Sequence, residues 1–460
     1  MVSRPRPSRT LATAAASLLV CACSDDVPAE DIGAPGCVQA LGLSTLSSCV
    51  LYDDGGLSCF GWGRCGELGD GESTPPRRRV EPVLGLSGMR KVVGGPWGAC
   101  GVREDATAWC WGANSTDRFG SAGEDTLTCD ERGEFFAEPI HVLDLAGVVD
   151  IDLGADHTCA VFDDGTVGCW GANDRGQLGD GTDAEMSSTM VPVDLANVQE
   201  IRANYRGNCA LLADRTVWCW GFVEGIGASA TPTDVGLTDV TRVSTHGNTF
   251  YAVRGDGTLW AWGENGFGEL GQGTEGGPEG LVQIDSLADV VDVAAGGDHA
   301  CALLADGTVW CWGSNANAQI ARPGDPASST PIEYEGIPPA AAIYSGQEHL
   351  CIVARDGSVH CWGCNCCYQL GNDPKVVCAS QGGTGTSAVV AEIPCPGDAD
   401  ARRTSFYGCA AAGGGGRAAI GALLLVVLCR ARRRRSTRKG SGCKRRPKTW
   451  ASPAHATRER

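Results

Sequence analysis

Short apolar runs of four or five residues, each closed by a turn signal, recur between residues 38 and 394, and none carries a helical period. The pattern is clearest at residues 281–284, 290–293, 300–304 and 308–312, which read as four short strands separated by turns. Alternation puts Trp310 and Trp312 on one face of the last run and Cys311 on the other. With both faces covered by neighbouring sheets, these indoles read as packing. The unit returns seven times as a Cys, then ten residues later Cys-Trp-Gly, then a version of Asn-x-x-Gly-Gln-Leu-Gly. Its second Cys, or the stand-in, falls at Cys59, Cys110, Cys169, Cys219, Ala261, Cys311 and Cys361, at intervals of 51, 59, 50, 42, 50 and 50 residues. The long interval holds an insertion at residues 121–138 and the short one a deletion after Gly221. Units of this length cannot bury their apolar faces alone and must stack. Four strands per unit predict an all-β fold of propeller blades.

The phrase Gly-x-x-His-x-Cys-Ala-Leu, then Asp-Gly-Thr-Val-Trp-Cys-Trp-Gly-x-Asn and Gly-Gln-Leu-Gly, resembles the repeat of the regulator of chromosome condensation family. The resemblance implies a seven-bladed β-propeller, here spanning residues 38–395. Some copies depart from the pattern: the first has Phe60 for Trp, the second reads Arg118-Phe119-Gly120, the fourth lacks the Gly-Gln-Leu-Gly loop, and the sixth reads Ala318-Gln319-Ile320-Ala321. The glycines of that loop are expected to turn the chain between blades. Ring closure is open at this stage: blade by blade, or by pairing residues 38–43 with residues 388–393.

The Asp163-Asp164-Gly165 turn is centred between Cys159 and Cys169, so a three-residue hairpin loop with Gly in the left-handed position sets the two cysteines opposite each other. Six units keep both members: Cys49 with Cys59, Cys100 with Cys110, Cys159 with Cys169, Cys209 with Cys219, Cys301 with Cys311, and Cys351 with Cys361. The fifth loses both together, to Tyr251 and Ala261. Joint loss is what a covalent pair predicts, since a lone partner would be a reactive thiol. Disulfides are therefore expected over paired buried thiols, and with them an oxidising compartment. Cys364, Cys366, Cys367, Cys378 and Cys395 crowd the last unit, Cys65 shares the repeat position of Cys367, and Cys129 sits in the insertion. None forms a zinc-spaced double Cys-x-x-Cys, so further loop disulfides are expected. The sequence does not reveal how these residues and Cys37 connect.

The two ends carry addresses. Arg4, Arg6 and Arg9 precede an apolar run to Ala22, which reads as a signal peptide over 1–22, followed by a linker over 23–37. Val20-Cys21-Ala22-Cys23 resembles a bacterial lipoprotein box, which implies lipidation of Cys23; an ordinary signal peptide is the alternative. A Gly-rich linker (396–416), an apolar and basic segment (417–435) and a basic tail (436–460) resemble a myxobacterial C-terminal sorting tail. Membrane anchoring is expected through the lipid, this segment or both, at the bacterial outer membrane or cell surface. Between Cys23 and Asp400 lie 54 of the 55 acidic residues but 18 of the 37 basic ones, a net charge of −36. So acidic a surface repels phosphate backbones and excludes nucleic acid as a partner.

His157, His299 and His349 share one repeat position and read as structural, and Gly179-Asp180-Gly181 lacks the Lys and the strand-to-helix setting of a phosphate loop. No cofactor or metal is expected, calcium in the Asp-rich turns being the alternative. No repeat-breaking cluster of acids, His or Ser stands out in the sequence, which favours binding over catalysis. The expected function is an exported cell-envelope module that binds a protein or glycan. An envelope enzyme with its site at the propeller axis is the alternative. Nucleotide exchange, which the family resemblance implies, is the weaker one, because an exported chain would not meet a small GTPase. Secreted relatives that inhibit β-lactamases make a protein partner plausible by analogy. The inserted loop, with Phe135 and Phe136 beside Glu131 and Glu134, is the expected contact surface; the alternative is that these Phe residues pin the insertion to its blade.

Overall fold

Between Cys159 and Cys169 the chain reverses in three residues. Phe162 N–H donates to Thr166 O at 2.9 Å, Gly165 N–H to Phe162 O at 2.9 Å, and Gly165 sits at φ +79°. The Asp164 carboxylate accepts from Thr166 N–H at 2.9 Å and from Thr166 Oγ1 at 2.6 Å, which fixes the turn. Cys159 then stands directly opposite Cys169. The second and fourth blades hold the same left-handed position with Ala106 (φ 62°) and Arg215 (φ 66°).

The computed structural model describes residues 38–120, 127–129, 133–320, 327–364 and 369–370. They form seven antiparallel sheets, a seven-bladed β-propeller. The third blade is typical, with strands Val148–Leu153, His157–Phe162, Val167–Ala172 and Met186–Val193 in chain order from the axis outwards. In the second blade the insertion adds a fifth strand, Leu127–Thr128, against Glu134–His141. Two sequence expectations are corrected. The run at 281–284 ends the outer strand of the preceding blade, Gly276–Gln283, and the blade that begins at Val290 takes Ala327–Glu333 as its fourth strand. The Gly-Gln-Leu-Gly loop joins the third strand to the fourth within one blade, whereas residues 194–197 make the step to the next blade.

That loop nevertheless holds blades together. In the third blade Asn173 Oδ1 accepts from Leu178 N–H at 2.9 Å and Gln177 Oε1 from Arg175 N–H at 2.7 Å, so the motif's Asn and Gln satisfy the loop's own backbone. The Gln177 carbonyl is left pointing at the next blade, where it accepts Trp220 Nε1–H at 3.1 Å and Asn208 Nδ2–H at 2.8 Å. Trp111, Trp312 and Trp362 donate in the same way to Glu67, Glu269 and Gln319. The exceptions follow the sequence departures. Trp262 faces the fourth blade, which lacks the loop, and Trp170 faces Arg118; both indole N–H groups are buried without a partner among the described residues. Arg118 replaces the Gln, and its buried guanidinium donates to Ala113 O, Pro96 O and Ala155 O.

His157 and His349 bridge blades through Nε2, to Asn208 Oδ1 at 2.9 Å and to Ser48 Oγ at 3.0 Å. Burial pushes both imidazoles down, His157 to about 4 and His349 to about 3, so both are neutral structural groups. The His349–Ser48 bond also shows how the ring closes. Val38–Leu43 is the inner strand of the first blade's own sheet, and Val50, Tyr52 and Phe60 pack directly against Cys351, Val353 and Val359 of the seventh. The strand expected at 388–393 lies outside the described residues, as do the signal peptide, both linkers and the C-terminal segments.

Candidate functional site

The shell of the propeller repeats; its axis does not. Each inner strand begins with a bulge after its first residue, which aligns the third and fifth residues of all seven strands around the axis. The third position carries Lys91, Asp150, Glu200, Arg242 and Asp292 in blades two to six and Ala40 and Ala342 in blades one and seven. The fifth carries Asp152, Arg202, Ser244 and Tyr344 among small residues. All of these except Asp150 and Ala342 line a cavity of about 340 Å³.

Most of this charge is internally matched. Asp150 contacts Lys91, lies 3.6 Å from Arg202, and accepts Ile151 N–H at 2.8 Å and Ile201 N–H at 3.0 Å. Arg202 also contacts Glu200. Asp152 ties the third blade to the fourth by accepting Leu153 N–H and Ala203 N–H, each at 2.9 Å, and burial pushes its carboxyl up to about 6. Ser244 makes the neutral version of that tie, accepting Ala295 N–H at 3.0 Å. Asp292 differs: one oxygen accepts Val293 N–H at 2.9 Å, the other has no hydrogen-bond partner among the described residues, and burial pushes the group to about 6. Arg242 on the adjacent blade donates to Thr241 O at 2.8 Å and forms no ion pair among the described residues.

The faces of the ring are unlike. Call the turn face the one that carries the links between first and second strands, together with the Gly-Gln-Leu-Gly loops. There Gln347 of the seventh blade reaches across the axis to the fourth and fifth: its Oε1 accepts from Tyr205 hydroxyl of the fourth and from His246 Nε2–H of the fifth, the latter at 2.9 Å. Burial pushes the His246 imidazole down, consistent with a neutral ring donating through Nε2. This cross-link caps the axial cavity on the turn face. Around the cap, Glu224, Glu264, Asp298 and Glu348 follow one another over blades four to seven. Glu224 is pushed up by burial and by Glu264, and Glu348 by burial and, opposing a Cys364 hydrogen bond, by Asp298. Beside them Phe267 is 47 % and Ile226 40 % exposed.

Comparison with known proteins agrees with this architecture. Residues 148–177, 290–319 and 340–369 match one model of the regulator of chromosome condensation (RCC1) repeat, and residues 164–203 and 256–303 a second. Together these matches span residues 148–203, 256–319 and 340–369, about a third of the chain. Human E3 ubiquitin-protein ligase HERC2 is 31 % identical over 147 residues, 31 % of this chain and 3 % of that one. Schizosaccharomyces pombe protein pim1 is 28 % identical over 223 residues, 46 % of this chain and 35 % of that one. The chain thus spans about a third or less of these relatives. Among solved structures, yeast RCC1 (Prp20) bound to Kap60 superposes with a TM-score of 0.61 at 18 % identity, covering 80 % of this chain and 88 % of that one. Human WBSCR16 gives 0.57 at 20 % identity, covering 68 % and 90 %. These likenesses establish the fold.

Each ten-residue cysteine pair forms a disulfide, with Cα atoms 4.0 to 4.1 Å apart. A seventh link, unreadable from spacing, joins Cys65 in the first blade to Cys129 in the second-blade insertion, with Cα atoms 5.5 Å apart. It accounts for Phe135 and Phe136. Phe135, 2 % exposed, packs with Cys65, Cys129 and Ala137, and Phe136 packs on the core between the second and third blades. The structure therefore corrects their expected place at the contact surface: both turn inward and pin the insertion. Cys364 is buried and hydrogen-bonds Glu348. Cys23, Cys37, Cys366, Cys367, Cys378 and Cys395 lie outside the described residues. The axial ring escaped sequence reading because the motif lies on the second and third strands; setting the seven inner strands in register at their third residue would have exposed it.

Proposed function

We propose that this propeller is an exported cell-envelope interaction module whose turn face, over blades four to seven, binds a basic protein. The observation that carries the reading is the pair of exposed apolar side chains, Phe267 and Ile226, set beside the carboxylate row Glu224, Glu264, Asp298 and Glu348. An apolar anchor rimmed by one sign of charge suits a partner with a complementary basic patch, and the net charge of −36 between Cys23 and Asp400 favours its encounter. A carboxylate row selects cationic side chains and so favours protein over glycan. Support by analogy comes from Prp20p of Saccharomyces cerevisiae, which binds Gsp1p and histones. Export is supported by the cysteine pairs and by the N-terminal Arg4-to-Cys23 pattern.

The test is capture of a partner from envelope extract by the full chain, followed by quantitative binding to the partner so identified. Phe267→Ala should weaken binding about tenfold or more, as loss of a central aromatic anchor does. Glu264→Lys should slow association and flatten its dependence on salt. Unchanged affinity and salt dependence in both variants would refute this surface.

A further inference from the structure

We propose that the axial cavity is a binding site for a small dipolar ion, a molecule with an ammonium and a carboxylate group, held between Asp292 and Arg242. The argument starts from what the other axial charges do. Asp150 shares its oxygens among Lys91, Ile151 N–H and Ile201 N–H, Asp152 is tied to two backbone N–H groups, and Arg202 is paired with Glu200. These groups join blade to blade, and each charge among them already has an opposite charge or backbone N–H groups of the protein beside it. Asp292 and Arg242 occupy the same ring position on adjacent blades, carry opposite charge, and do not close on each other. Among the described residues Asp292 keeps one carboxylate oxygen without a partner and Arg242 keeps all but one of its guanidinium donors, and both line the cavity.

A ligand with one charge would satisfy one of these groups and leave the other. A dipolar ion satisfies both, and about 340 Å³ holds a molecule of a few heavy atoms with water. Tyr205, Gln347 and His246 close the turn-face end, so entry is from the opposite, hairpin face. The site is therefore separate from the surface proposed for the protein partner, and the two proposals stand or fall independently.

Calorimetric titration of the full chain with glycine, β-alanine and γ-aminobutyrate, which differ in charge separation, tests this against acetate and methylammonium. At least one of the three should bind saturably at one site per chain, with the single-charge controls about tenfold weaker or worse. Asp292→Ala and Arg242→Ala should each weaken that binding at least about tenfold. Ala40 and Ala342 already fill this ring position in two blades, so the backbone accommodates both changes. Circular dichroism and an unchanged affinity in Asp180→Asn, on an exposed loop, control for folding. No saturable heat from any of the three, acetate or methylammonium binding as tightly, or wild-type affinity in both alanine variants would each overturn the proposal.

Discussion

In the third blade Cys159 faces Cys169 across the hairpin and Gln177 organises the loop that meets the next blade; in the fifth, Tyr251 faces Ala261 and Glu269 stands where Gln177 does. The backbone barely registers the exchange. Tyr251 fills the space of the cysteine pair, packs edge-on against Trp312 with ring centroids 5.8 Å apart, and donates its hydroxyl to Glu269 O at 2.7 Å. A blade thus needs a filled slot between its second and third strands. The filling can be covalent within the blade, or aromatic and tied to the next one.

Removing the covalent filling should have the largest effect. Cys159→Ala with Cys169→Ala frees an eleven-residue loop and leaves a cavity with no aromatic to fill it, at a cost of about 2–3 kcal/mol in the chain-entropy model. Denaturant midpoints with and without reductant measure it. A double variant as stable as the oxidised protein, or all twelve hairpin thiols titrating as free in the exported protein, would remove the disulfides from the account.

The next difference is one of charge. Glu269 is buried, and burial pushes its carboxyl up to about 7, although Phe267 N–H donates to it at 2.8 Å. Its folded value lies above its unfolded one. As pH falls from 8 towards 4.5 the folded state takes up a proton that the unfolded chain does not, so stability rises; above 7 the full cost of the buried charge applies. Glu269→Gln, which copies the third blade, keeps the acceptor and removes the charge. It should stabilise by on the order of 2 kcal/mol at pH 8 and by little near pH 4.5. Equal effects at both pH values would show that the charge is not what matters.

The same contrast explains what was legible in the sequence. Hairpin cysteines, turn aspartates and glycines, the buried Trp and the motif's Asn and Gln each do one job in nearly every blade, so repetition exposes them. The copies that break the motif, Arg118 and the missing loop of the fourth blade, predict where the junctions lose a hydrogen bond. Lys91, Asp150, Arg242 and Asp292 have no such signature, because around an axis each blade supplies a different partner to its neighbour. Phe267 and Ile226 carry no repeat signature either, and the insertion with Phe135 and Phe136 looks like a surface until Cys65 and Cys129 are seen to tie it down. A repeating sequence does not say where a unit begins, and so the run at 281–284 falls to the blade before the one that starts at Val290.

The smallest expected effect tests the junctions themselves. Trp220 and Trp262 are equally buried, but Trp220 donates to Gln177 O at 3.1 Å across the junction from the third blade, while Trp262, facing the fourth, has no acceptor among the described residues and stacks on Phe250 at 5.6 Å. Replacing either with Phe removes the same volume. At 220 it also removes a made hydrogen bond, whereas at 262 it removes an N–H that folding had stripped of water for no return. Gln177 O keeps Asn208 Nδ2–H at 2.8 Å, so the loss at 220 is confined to one bond. Trp220→Phe should therefore destabilise by about 1 kcal/mol more than Trp262→Phe, read from paired denaturation curves. Equal costs would mean that the loop carbonyl contributes nothing to joining the blades, and that packing alone holds the ring.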